Sequence, residues 1–247
     1  MPTHLHSGGA SLTTGGYATS DFLDDLGVAP PSMPIFETWT AAADGINTMT
    51  GDYLWTPFVG GNLWGVESHA LKLENSGSAA HGGRIEIDLG TSDHRVAAEV
   101  TEFAHPGTGT LVASVAARMQ GTAAMTFYAW DMLAVTGSYS LLLLKFVAGA
   151  QTNIQELTLP GAPTGTNLLE LDVLGSTVRA FYNHVLRVVV TDTSIPVGQF
   201  AGVQGVANGA GNRTRVDNFS VRAAIGAGTG GSHRRRFFGL APLTGVR

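Results

Sequence analysis

Residues 167–221 read NLLELDVLGSTVRAFYNHVLRVVVTDTSIPVGQFAGVQGVANGAGNRTRVDNFSV. Short runs rich in Val, Leu, Phe and Tyr alternate with turn residues at a steady spacing. Stretches 168–173, 177–182, 185–191, 199–206 and 216–222 have strand length and strand composition. Gly175-Ser176 and Asn183-His184 separate the first three. Asn tolerates positive φ, so Asn183-His184 reads as a two-residue hairpin turn. Several strands at this spacing predict an antiparallel sandwich of two packed sheets.

The same rhythm extends upstream. Strands are predicted at 35–39, 53–55, 63–66, 70–73, 83–89, 95–101, 125–130, 139–147 and 153–159. Within 83–89, Ile85, Ile87 and Leu89 share one face and Arg84, Glu86 and Asp88 the other. The period of 111–119 fits helix or strand, and its β-branched residues favour strand. The run Leu141-Leu142-Leu143-Leu144 predicts a central strand buried on both faces. About a dozen strands result. No unit of 20–50 residues recurs, which excludes a solenoid or propeller.

Composition agrees. Of 247 residues 44% are apolar and only 13% charged, enough to bury a sizeable core. The 33 glycines suit tight turns rather than long helices. With no cysteine, disulfides and thiolate zinc sites are excluded. No apolar run reaches ~20 residues, so no transmembrane helix is expected. The opening MPTHLHSGGASLTTGG lacks the basic and apolar regions of a signal peptide. A role outside a cell would then require another route, such as a released particle.

Two flanking segments differ from the body. Residues 1–34 are rich in Gly, Ser, Thr and Pro and read as an N-terminal arm. In it Ser20 and Gly27 bracket a possible short helix, and Pro30, Pro31 and Pro34 impose an extended path. Residues 223–247 carry four arginines and no acid, whereas the rest carries ten Lys/Arg against nineteen acids. The body is acidic and the tail basic. Residues 223–232 have linker composition. Beyond them, Arg234, Arg235, Arg236, Phe237, Phe238 and Leu240 read as an assembly anchor that docks on a neighbouring subunit, arginine supplying bidentate contacts to carboxylates. Three arginines are too few for strong nucleic-acid binding at physiological salt.

The phrases Phe36-Glu37-Thr38-Trp39, Leu63-Trp64-Gly65-Val66, Leu171-Asp172-Val173-Leu174-Gly175, Val178-Arg179-Ala180-Phe181, Val189 to Ile195 with Val197-Gly198, and Val216-Asp217-Asn218-Phe219 stand in an order that resembles the concanavalin A-like (laminin G-like) jelly roll over about residues 35–222. The resemblance implies an all-β fold of two antiparallel sheets whose first and last strands are neighbours, bringing Phe36 and Trp39 near Phe219. It implies a recognition module more often than an enzyme. The cysteine-free Ala/Gly/Thr/Val-rich body, Gly-rich leader and Arg-Arg-Arg-Phe-Phe tail also resemble actinobacteriophage minor tail or capsid-associated (decoration) proteins. This implies a virion component held to other virion proteins by both arms, in a larger assembly, with host-surface glycans as candidate ligands.

Candidate chemistry is sparse. Some glycosidases of this fold carry E-x-D-x-x-E on one strand. Here Glu86-Ile87-Asp88 is followed by Thr91 at the last acidic position, so the proton donor is missing. No G-x-S-x-G elbow occurs. The histidines (His4, His6, His69, His81, His94, His105, His184, His233) show no metalloprotease spacing. Many proteins of this fold bind calcium at a sheet rim. Asp172, Asp192 and Asp217 are the oxygen donors such a site would use, although no dense acidic loop exists. In Thr191-Asp192-Thr193 and Asp217-Asn218 the side-chain oxygens are expected to fasten turns. Trp39, Trp55, Trp64 and Trp130 suit a core better than a sugar-stacking surface. The competing function class is a polysaccharide-cleaving glycosidase, with Glu86 and Asp88 as its residues. A third is a free lectin-like secreted protein.

Overall fold

A computed structural model of the chain describes residues 35–37, 39, 53, 55–59, 64–74, 77, 79–86, 89–120 and 125–224. The N-terminal arm and the basic-aromatic anchor (Arg234, Arg235, Arg236, Phe237, Phe238, Leu240) lie outside the described residues, as do Ile87 and Asp88.

The strands in chain order are β1 (Ile35–Glu37), β2 (Trp55–Val59), β3 (Gly65–Glu67), β4 (Ala70–Glu74), β5 (His81–Ile85), β6 (His94–Ala104), β7 (Thr110–Met119), β8 (Phe127–Val135), β9 (Ser138–Val147), β10 (Ala150–Thr158), β11 (Asn167–Leu174), β12 (Thr177–Tyr182), β13 (Val185–Thr191), β14 (Phe200–Asn208) and β15 (Arg213–Ala223). They form two antiparallel sheets. Sheet I runs β13-β12-β11-β6-β15-β4-β3, and β1 also pairs with β15. Sheet II runs β10-β9-β8-β7-β14-β5-β2. This is the concanavalin A-like jelly-roll β-sandwich.

First and last strands are neighbours, with Glu37 opposite Phe219 and Ile35 opposite Val221. Alternation then separates the aromatic residues. Trp39 and Phe219 point inward and are joined through Trp55, whose ring lies 5.8 Å from Trp39 and 5.1 Å from Phe219. Phe36 takes the opposite face and is exposed. All four tryptophans are buried. The Trp130 indole on sheet II donates to the Phe181 carbonyl on sheet I at 2.9 Å, tying the two layers together.

Turn chemistry follows the residues. Asn183 and His184 both have positive φ, +50° and +64°, as a tight hairpin needs. Asp192 accepts hydrogen bonds from the backbone N–H and hydroxyl of Ser194 and fastens the loop after β13. Asp217 accepts from the N–H of Asn218, a positive-φ residue at a bulge within β15 rather than at a turn before it.

Two elements differ from expectation. Strand β5 ends at Ile85 and begins at His81, so Glu86 lies beyond its end. Leu141 to Leu144 are buried on both faces, but β9 is second from the sheet edge rather than central. Leu141 and Leu143 enter the main core. Leu142 and Leu144 join Ala116, Met119, Phe127 and Ala129 in a second apolar cluster. Cross-strand register places that second cluster on the outer face of sheet II.

Candidate functional site

Residues directly opposite one another in an antiparallel pair share a face. Register on sheet II therefore defines one continuous row on its outer face: Gly82, Gln204, Ser114, Asp131, Leu142 and Glu156, on β5, β14, β7, β8, β9 and β10. At ~4.8 Å per strand the row spans about 24 Å. The adjoining row reads Arg84, Gly202, Ala116, Ala129, Leu144 and Asn153. Its small central side chains keep the floor of the face low.

Asp131 sits at the middle of the first row. Strand β8 needs apolar residues on both faces, inward for the main core and outward for the second cluster, and Asp131 is the one acid it carries. Its side chain lies between Leu142, directly opposite, and Leu133, two residues on along the same face, and the residue is only 5% exposed. Burial pushes its carboxyl up to about 7, and the neighbouring Ser114 hydroxyl and Gln204 side chain pull partly the other way. Oδ1 has no hydrogen-bond partner. Ser114 and Gln204 are themselves buried, and the Ser114 hydroxyl donates to the Gln204 carbonyl at 3.4 Å. The face opens at its β10 end, where Asn153, Glu156 and Thr158 are exposed.

One end of the face is aromatic. Phe127 and Phe146 stack at 4.5 Å, and the Arg84 guanidinium lies 4.1 Å over the Phe200 ring. Arg84 also clamps Glu86, its Nη2 donating to both carboxylate oxygens at 2.7 and 2.9 Å. Glu86 is held by Arg84 past the strand end, and Asp88 lies outside the described residues. Three strand spacings, about 14 Å, separate the β5 and β8 backbones.

The remaining candidates are engaged elsewhere. Asp172 on β11 pairs with Arg179 at 2.5 Å. Burial raises its carboxyl, against the pull of Arg179 and Arg95. Asp192 accepts from the Lys145 ammonium at 2.7 Å and the Tyr128 hydroxyl at 2.9 Å. Burial opposes its charge, yet the hydrogen bonds from Lys145, Ser194 and Tyr128 outweigh it and hold this carboxyl well below the usual range. Asp217 lies on β15 and is raised by burial. The three carboxylates do not converge, and no group of three His, Cys, Asp or Glu able to hold a metal occurs among the described residues. These residues do not fit a calcium site.

Outside the row, two clusters are structural. At a bulge where β7 pairs with β14, Arg118 adopts φ +51° and leaves the strand alternation. Its guanidinium is fully buried and donates to the Ser92 and Ile195 carbonyls and to Asp93. Its N–H donates to His94 Nε2 at 3.1 Å. On the outer face of sheet I, Arg95 and Arg222 pair with Glu170, and the Arg95 guanidinium lies over the Phe181 ring at 4.5 Å.

Sequence reasoning did not single out Asp131, Ser114 or Gln204. The available signal was a lone acid inside the apolar run Met125-Thr126-Phe127-Tyr128-Ala129-Trp130-Asp131-Met132-Leu133.

No family model and no curated protein matches this chain. Solved structures do. The carbohydrate-binding module CBM66 from Bacillus subtilis is 16% identical, with a TM-score of 0.54 over 70% of this chain and 98% of that one. The exoplasmic/lumenal domain of VIP36, in a Ca2+/Man-bound form, is 7% identical, with a TM-score of 0.59 over 79% and 91% of the two chains. The Bacillus licheniformis β-glucanase is 12% identical, with a TM-score of 0.50 over 78% and 98%. At these identities the likeness establishes the fold: this chain has the jelly-roll architecture shared by those lectin and glycanase domains.

Proposed function

We propose that this chain is a non-enzymatic, lectin-like module that adheres to glycans through the outer face of sheet II. The observation that carries the reading is the Gln204-Ser114-Asp131 row. Polar groups, one of them a carboxylate with an unpartnered oxygen, lie beside a second apolar cluster on that face. A sandwich needs only its inner faces apolar, so a second apolar cluster beside buried polar groups exceeds what the fold requires, and the face opens to solvent at its β10 end, at Asn153, Glu156 and Thr158. Neighbours of the same fold are a carbohydrate-binding module and a mannose-bound lumenal domain. A binder is favoured over a hydrolase because the Glu86 carboxylate is engaged by Arg84 through both of its oxygens and Thr91 stands where the proton donor of the glycosidase pattern would be.

The setting we infer is a phage virion, with the module on a tail or tail tip and the segments 1–34 and 223–247 fixing it to other virion proteins. A capsid decoration protein would use the same segments. This rests on the Gly-rich leader, the absence of cysteine and the Arg-Arg-Arg-Phe-Phe tail.

Binding to a panel of immobilised polysaccharides tests the adhesion. We expect retention on at least one, weakened about tenfold or more by Gln204→Ala, since a lost hydrogen bond to a buried site costs about 1–3 kcal/mol. Polysaccharide cleavage that disappears in Glu86→Gln would replace the binder with a hydrolase. Deleting 230–247 is expected to release the protein from particles while the sandwich stays folded.

A further inference from the structure

We infer that the outer face of sheet I is the docking surface for this chain's own N-terminal segment 20–27, held by charge and by exposed apolar side chains. This reading is independent of adhesion through sheet II. It follows from what the face exposes, where the chain enters β1, and the sign of the charge upstream of that point.

Register on sheet I defines two adjoining outer rows. One reads Phe36, Ser220, Ala97, Glu170, Phe181 and Leu186, on β1, β15, β6, β11, β12 and β13. The other reads Arg222, Arg95, Asp172, Arg179 and Val189, from β15 to β13. At ~4.8 Å per strand the second row spans about 19 Å. Its charges are layered. The side chains of Glu170 and Asp172 are 3% and 4% exposed, whereas those of Arg95, Arg179 and Arg222 keep 19%, 20% and 34%. Three arginines thus stand over two buried acids, and the excess positive charge is on the solvent side. A guanidinium has five N–H donors in a fork and can engage a second carboxylate. Arg187 adds a cation on the exposed edge strand β13, and the next acid along β6, Glu99, accepts from Asn218. Phe36, Leu186 and Val189 on these rows are large, apolar and 38%, 47% and 56% exposed. Exposed apolar residues grouped on one face mark an interaction surface.

Chain entry and sign select the occupant. Strand β1 begins at Ile35, opposite Val221 and so beside Arg222, at the head of the second row. Residues 1–34 carry Asp21, Asp24 and Asp25 and no Lys or Arg, and Phe22, Leu23 and Leu26 lie among those acids. Acids interleaved with large apolar residues complement arginines flanked by Phe36, Leu186 and Val189. The eight residue steps from Gly27 to Ile35 reach at most about 28 Å, enough to bring the segment to any point of the row. The C-terminal segment follows β15 from the same corner, but it carries four arginines and no acid, and like charge excludes it from this face. A short tether keeps the acidic segment at high effective concentration, so ion pairs too weak to join separate molecules suffice. Residues 1–19 and 223–247 then remain for the virion partners inferred above.

The test follows maleimide labelling of the full chain carrying Leu186→Cys as its sole thiol, with Phe36 and Val189 kept as apolar contacts. Glu156→Cys, exposed on sheet II, is the control position. Each is made with the native arm and with Asp21, Asp24 and Asp25 all replaced by Asn, which leaves the sequence of the sandwich untouched. We expect the Asn arm to speed labelling at 186 about fivefold or more and to leave 156 unchanged, the three acids acting together because one exposed ion pair contributes little. About 1 M NaCl should release the native arm in the same way by screening. Protection should persist over about a hundredfold dilution, because the segment is tethered. Equal labelling at 186 with both arms overturns the inference. Protection lost on dilution makes a second copy's segment the occupant and overturns docking within one chain. Release by replacing Arg234, Arg235 and Arg236 with Gln, but not by the Asn arm, assigns the face to the C-terminal segment and also overturns it. No polymer is present, so none of these outcomes bears on glycan adhesion.

Discussion

Asp131 and His94 are buried titratable groups that move stability in opposite directions. Asp131 rises from 3.8 to about 7 in the folded chain through burial. Its folded value lies above its unfolded one, so its contribution is fully present below pH 3.8 and is lost as pH rises through 7. Above pH 7 the charged carboxylate costs about 2–4 kcal/mol. Asp131→Asn should therefore raise the melting temperature by several degrees at pH 8 and leave it nearly unchanged at pH 4, as thermal unfolding at the two pH values would show. His94 falls from 6.5 to about 4 through burial, with Arg118 adding repulsion and Thr91 and Asp93 opposing it. Its contribution is fully present above pH 6.5 and is lost as pH falls through 4, up to about 3 kcal/mol. In denaturant titrations between pH 7 and 4, His94→Gln should start less stable, because the Arg118 N–H loses its acceptor, but should show a flatter acid decline.

The elements show where residue-level reading succeeds and where tertiary context takes over. Asn183-His184 was legible because few residues tolerate φ near +50°, and Asn183 also accepts from the Leu168 N–H at 2.7 Å through its side chain. Asn183→Ala should cost about 1–2 kcal/mol in chemical denaturation, with Asn183→Gly recovering the backbone part. The end of β5 was not legible. The alternation of residues 83–89 continues past Ile85, where β5 ends. Arg118 was equally hidden. Alternation assigns it a face of β7, and the bulge turns it toward loops far away in sequence. Gly198 completes that latch, because a Cβ there would stand 2.1 Å from the Arg118 carbonyl oxygen. Gly198→Ala is expected to abolish soluble folded protein or cost more than about 3 kcal/mol, measured by expression and thermal melting.

At the scale of the whole molecule, the closing stretch 167–221 carried the fold because its turn residues and strand lengths are local properties. The adjacency of β1 and β15 came from family resemblance, and pairing of Glu37 with Phe219 bears it out. The candidate site was illegible for a physical reason. Its row is assembled from six strands, each contributing one residue, and no single segment holds two of them. Asp131 becomes distinctive only once β7 and β9 flank it and its carboxyl is buried. The sandwich then has two different outer faces. That of sheet I carries arginine–carboxylate pairs, and that of sheet II carries a second apolar cluster beside the buried Asp131.

The absence of cysteine from the chain makes these faces separately addressable. Asn153→Cys places a thiol on the outer face of sheet II, and Val189→Cys places one on the edge strand of sheet I, both at exposed positions. Maleimide labelling of each variant should be followed with and without a neutral polysaccharide that the wild type retains. The account predicts that the polymer slows labelling at position 153 severalfold and leaves position 189 unchanged. Unchanged labelling at 153 under saturating polymer, or protection at 189 instead, would contradict it.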